Sequence, residues 1–233
     1  ETVRETLTEG WGFVREVPSF RYFMIVVLAV AIATVVIEFR FLDVAKATIP
    51  EPGRYKNFIA TIRMVMALAS FGIQTFLTSR VIGKLELKNT FLIMPWVMFG
   101  SLGAMLGSAG FVSATSVQVV SKVIRNTVDA SARKSFQALV PEERRGRVSL
   151  FMDNYVPAVG TILGCAIAGA VVLAGAALGR ASSFYVYLAI TEAITIFSIW
   201  AVFQMHKGYD SSLLNWRLKR RQRGVSVLDK LDF

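Results

Sequence analysis

The chain has 233 residues, of which 54% are hydrophobic and only 18% charged, with a mean hydropathy of +0.53. Soluble domains carry roughly 25% charged residues, so a single water-covered core is a poor fit. One cysteine excludes a disulfide framework, and one histidine beside it excludes a structural zinc site of the usual kind. The net charge of +10 resembles a nucleic-acid signal only until the positions of the charges are considered.

The first stretch, ETLTEGWGFVREVPSF, mixes Trp11, Phe13 and Val14 with charges. Residues 1–19 therefore read as an interfacial or linker segment. The chain begins with Glu1 rather than Met, which is expected of a piece of a longer protein or a processed product. No small-residue cleavage site follows the first apolar block, so a cleavable signal peptide is not expected. A helix needs about 20 mostly apolar residues to cross a bilayer. Six segments meet that expectation, at 20–42, 58–79, 91–108, 112–132, 148–177 and 183–205. The expected fold is thus all-α, a polytopic membrane protein with six transmembrane helices over 20–205 and a basic tail over 206–233.

Six crossings place the N-terminus, the 2–3 loop, the 4–5 loop and the C-terminus on one side. Most of the 26 lysines and arginines fall there, including Arg80, Lys84, Lys88, Arg144, Arg145, Arg147 and the tail. Positive residues mark the cytoplasmic side, so both termini are expected to be cytoplasmic and no nucleic-acid partner is needed. The tail segment RLKRRQRG is expected to lie against anionic headgroups.

Ionisable groups at membrane depth are costly, and mark candidate functional positions. The fourth segment concentrates them: Gln118, Lys122, Arg125, Asn126, Asp129 and Arg133 recur at steps of three and four, on one helical stripe. Such a stripe either lines a polar cavity or forms an ion-pair network between helices. In the first reading Lys122, Arg125 and Asn126 bind an anion, while Asp129 and Arg133 couple or gate. Glu38 and Arg63 are expected to pair across a short loop. Asp153 and Asn154 open the fifth span, and Glu192 has Thr191, Thr195 and Ser198 beside it. The fifth span also carries Gly160, Gly164, Gly169 and Gly175, a small-residue contact face, with Pro157 able to kink it. No metal site, cofactor motif or catalytic set is visible, and no enzyme is expected.

Three stretches resemble a known family. VIEFRFLDVAKATIPEPGRYKNF places Glu38 before Pro50, Pro52, Tyr55 and Phe58. ARKSFQALVPEERRGRVSLFMDN holds Pro141, Glu142, Glu143, Arg145, Gly146, Arg147 and Asp153, and SRVIGKLELKNT forms a short basic turn between the second and third spans. Together with the six-span pattern they resemble the C-terminal half of a major-facilitator-type transporter. The likeness is greatest to the plastid and parasite ATP/ADP translocases and their bacterial relatives. The lysine that this family has four residues after the glutamate is Leu42 here. The resemblance implies nucleotide or organic-phosphate transport by alternating access, Glu38 in the transport pathway, a second six-helix half as partner, and a bacterial inner membrane as location. The alternative expectation is a transporter-derived accessory subunit of a larger membrane complex, with no transport of its own.

Overall fold

The computed structural model describes residues 3–76, 78–108, 110–178 and 185–207, and for 78–88 and 176–178 the backbone alone. Those residues are almost entirely helical, with no strand among them. Helix α1 (Val3–Glu16) precedes α2 (Pro18–Thr48), α3 (Pro52–Phe76) and α4 (Thr78–Gly107). Then come α5 (Phe111–Ile124), a π-helical turn π1 (Arg125–Asp129) and α6 (Ala130–Gln137). Helix α7 (Glu142–Leu150) runs through a second π turn, π2 (Phe151–Tyr155), into α8 (Val156–Leu178), and α9 covers Tyr185–Lys207.

Among the described residues five helices are long and apolar enough to cross a membrane: α2, α3, the 89–107 part of α4, 142–175, and α9. They mark an integral membrane protein. The expected fourth span, α5–π1–α6, is not among the five, because Gln118, Lys122, Arg125, Asn126 and Asp129 dilute its apolar residues. It nevertheless packs inside the bundle, against α2, α3 and α4.

Helix α2 is the centre. Proline at its first position supplies a pre-set φ where no N–H partner is required, and its buried residues lie on every side. Its most extensive partner is α8, and two glycines explain the close approach. A Cβ on Gly160 would stand 2.6 Å from Ala31 Cβ and 2.9 Å from the Leu28 carbonyl oxygen. One on Gly164 would stand 3.0 Å from Val35 Cβ. The expected small-residue face is therefore real at these two positions, while Gly169 meets nothing within 4 Å.

From α4, Met94, Met98, Leu102 and Met105 are fully buried at steps of four, four and three. Beside them the rings of Phe20, Phe23 and Phe91 surround Phe136 at centroid distances of 4.6, 4.8 and 5.3 Å, tying α2, α4 and α6 at one end of the bundle.

Two expected loops are helical. The 79–90 stretch belongs to α4, since VIGKLELKN has no proline and is rich in good helix formers. The fifth helix starts at Glu142, not 148: Pro141 precedes it, Glu142 and Glu143 stand in its first turn and Arg147 in its last, all favoured by the helix dipole. Pro157 lacks the N–H that would bond the Asp153 carbonyl, and the ladder widens into π2 immediately before it. The expected interfacial segment is the docked helix α1, whose Thr6, Gly10, Phe13 and Val14 are buried and which packs on α7, π2 and α2. The tail beyond Lys207 lies outside the described residues.

Candidate functional site

Three helices enclose a cavity of about 280 Å³. Its polar lining comes from Glu38 of α2, Arg63 of α3, Gln118 and Lys122 of α5, and Asn126 of π1. Its apolar wall comes from Phe41 and Leu42 of α2 and from Ile59, Ile62, Met66 and Ala67 of α3. On both helices these residues follow steps of three and four, so one face of each turns inward.

Lys122 Nζ donates to Glu38 Oε2 at 3.4 Å. Their side chains are 30% and 37% exposed, so the pair stands at the mouth of the cavity rather than in a sealed core. The expected Glu38–Arg63 ion pair is not formed among the described residues. Arg63 lines the same cavity with its side chain exposed, leaving two cations beside one carboxylate.

The expected single polar stripe on the fourth segment is divided in two. Thr127 Oγ1 donates to the Val123 carbonyl at 2.7 Å, an arrangement that bends helices, and the backbone here is the wide turn π1. Each π turn holds one extra residue and rotates the downstream helix by about 100°, one step of a 3.6-residue helix. Gln118, Lys122 and Asn126 face the cavity. Asp129 and Arg133 do not line it and instead form their own ion pair, Nε to Oδ2 at 3.1 Å, with 8% and 17% of their side chains exposed. The Arg133 Nε–H is not aimed as a hydrogen bond, so the contact is ionic in character. Arg125 is within electrostatic reach of Arg133, Asp129 and Glu38.

The remaining expected residues lie elsewhere. Asp153, in π2, accepts a hydrogen bond from Gln137 Nε2 at 2.8 Å. It thereby ties α6 to the start of the fifth span, apart from the cavity. Glu192 of α9 faces α4, where a Cβ on Gly103 would be 4.0 Å from its Oε1. Its Oε2 is buried without a hydrogen-bond partner among the described residues. The neighbouring hydroxyls of Thr191, Thr195 and Ser198 each bond a carbonyl of their own helix, so they do not form a shared polar stripe with it. The apolar wall from Ile59 to Ala67 was open to discovery from its spacing, but α3 is apolar on most sides and its inward face had no distinguishing mark.

No protein-family model matches the chain, and no curated protein or solved structure is similar to it.

Proposed function

We propose that the chain is a six-helix half of a secondary transporter for a small anionic metabolite such as a nucleotide or organic phosphate, working by alternating access in a bacterial inner membrane with both termini cytoplasmic. In this reading α5–π1–α6 is the fourth crossing, and its charges face protein or cavity rather than lipid. A second half, on the same longer chain or on another subunit, closes the open side of the cavity.

The observation that carries the reading is the Lys122–Glu38 pair at a cavity between α5 and two helices, α2 and α3, that are long and apolar enough to cross a membrane. Charged groups are retained at such depth where they serve a wet pathway. With Arg63 also lining the cavity and Arg125 within electrostatic reach of Glu38, an anion entering the cavity would replace Glu38 as the counter-charge of Lys122. Glu38 is then free to take a proton or a new partner as the half rocks. The transporter resemblance, resting on the Glu38 segment and the 132–154 stretch, agrees with this assignment and adds nothing to the geometry.

The accessory-subunit reading has one observation in its favour: among the described residues α3 buries only Met66, so its apolar face is open to a neighbouring subunit as well as to lipid. The two readings separate by thermal stabilisation of the purified protein in nanodiscs against nucleotides, organic phosphates and inorganic phosphate. A ligand binding only the folded state stabilises it by about 2.7 kcal/mol at a hundredfold excess over its Kd. The expected result is a shift with one anion class that is lost in Lys122→Ala and in Arg63→Ala, both of which still insert and fold. A flat panel from well-folded wild type, with other subunits co-purifying in fixed ratio, sinks the transport reading.

A further inference from the structure

The N-terminal helix α1 divides its surface into three sectors. Thr6, Gly10, Phe13 and Val14 are buried against the bundle. The acidic sector also faces protein: Glu9 pairs with Arg147, and Glu16 lies 3.7 Å from Arg144, both partners on α7. A third sector is apolar and open. Val3, Leu7 and Trp11, at successive steps of four, are 62%, 38% and 56% exposed, and the next step of four is Arg15, also exposed. Arg4 stands on the same edge.

Charge is therefore segregated on a 14-residue helix. Glu9 and Glu16 stand beside the protein's own arginines, while Arg4 and Arg15 are exposed beside an apolar stripe, with Glu5 the one further acid of the helix, also exposed. The helix is also fixed relative to the start of α2. Arg21, in the first turn of α2, donates from its guanidinium to the Arg15 carbonyl at 3.0 Å, and only Val17 separates the two helices. Helix α2 has 31 residues, roughly 46 Å at 1.5 Å per residue. That matches the full thickness of a bilayer including its headgroups, about 40–45 Å. The start of α2, and α1 with it, therefore sits at headgroup level, where tryptophan is favoured and anionic lipids attract arginine.

We infer that the Val3–Leu7–Trp11 stripe of α1, flanked by Arg4 and Arg15, is a docking surface for anionic lipid headgroups, seated on the bundle by the Glu9–Arg147 and Glu16–Arg144 pairs. This is independent of what the cavity carries.

The test uses the full chain with Trp96, Trp200 and Trp216 replaced by phenylalanine, so that Trp11 alone fluoresces. It is reconstituted into phosphatidylcholine vesicles whose acyl chains are brominated near the headgroup, with and without phosphatidylglycerol. The expected result is quenching of Trp11 that is several-fold stronger with phosphatidylglycerol, and a loss of that dependence in Arg4→Glu/Arg15→Glu. A second variant retaining only Trp200 reports on insertion, and its quenching is expected to ignore lipid charge. Quenching of Trp11 that is equal in both lipids overturns the inference. So does a Trp11 that stays unquenched while Trp200 is quenched, which would mean that protein, such as a second copy of this chain, covers the stripe.

Discussion

The Asp129 carboxylate stands 3.1 Å from Arg133 Nε, nearly inaccessible, and has Arg125 within electrostatic reach as well. Removing one member of a buried pair costs about 3–5 kcal/mol because the other is left uncompensated. Asp129→Ala leaves two nearby arginines without their shared acid, whereas Arg133→Ala leaves Asp129 with Arg125. Asp129→Ala should therefore lower the unfolding midpoint in detergent by more than Arg133→Ala, and the double replacement should cost less than the sum. Additive losses would mean that the two side chains do not interact. At the cavity mouth the pair is a third exposed, so solvent screening reduces its structural worth. Lys122→Ala should for that reason affect ligand response far more than stability.

At the scale of helices, α8 lies close against α2. An added methyl at Gly160 meets both a side chain and the Leu28 carbonyl, and backbone cannot step aside as a flexible side chain can. Gly160→Ala is expected to cost about 1–3 kcal/mol, the usual range for overpacking. Gly164→Ala should cost less, and Gly169→Ala, in open space, nothing measurable. The order Gly160 > Gly164 > Gly169 in thermal unfolding is the check, and a flat series would place α8 differently. A similar approach fixes α1: a Cβ on Gly10 would lie 2.5 Å from the Phe151 Cβ. Gly10→Leu should lift α1 away from π2 and raise hydrogen exchange across α7, whose Arg147 and Arg144 lose their acidic partners. Helix α3 contrasts with both. It is held by ring contacts of Phe58 with Phe41 and Phe111, at 6.2 and 5.2 Å, and by Met66. Among the described residues it is thus the cavity wall with the least buried surface, Met66 alone being buried.

For the molecule as a whole, the number of crossings turns on α5–π1–α6. By composition five helices qualify among the described residues, yet Ser113 Oγ at the start of α5 donates to the Ala104 carbonyl near the end of α4 at 3.3 Å. The two helices then run side by side through the bundle. With Cys165 replaced by serine, single cysteines at Ser108 and Ala138 bracket the segment between them. If the segment crosses, an impermeant maleimide added outside should label one and not the other. Labelling of both from one side would make it a re-entrant or interfacial element and remove the six-helix half.

The sequence alone determined the helical, membrane-embedded character of the chain, because apolar runs of about 20 residues admit few other structures. It also marked the positions of greatest chemical tension, since Glu38, Arg63 and Lys122 stand out against apolar neighbours whatever the fold. Only the tertiary structure decided how those tensions are resolved. Glu38 finds Lys122 rather than Arg63 because packing of α5 on α2 brings together residues 84 positions apart, a distance that no local periodicity encodes. The π1 turn divides one apparent stripe into a cavity lining and a separate ion pair, because a single extra residue in the turn rotates every later side chain about the helix axis. The same limit explains why α1 and the 142–147 stretch read as an interfacial segment and a loop. The burial of Thr6, Gly10, Phe13 and Val14 that fixes α1 against α7 and π2 exists only once these elements are side by side.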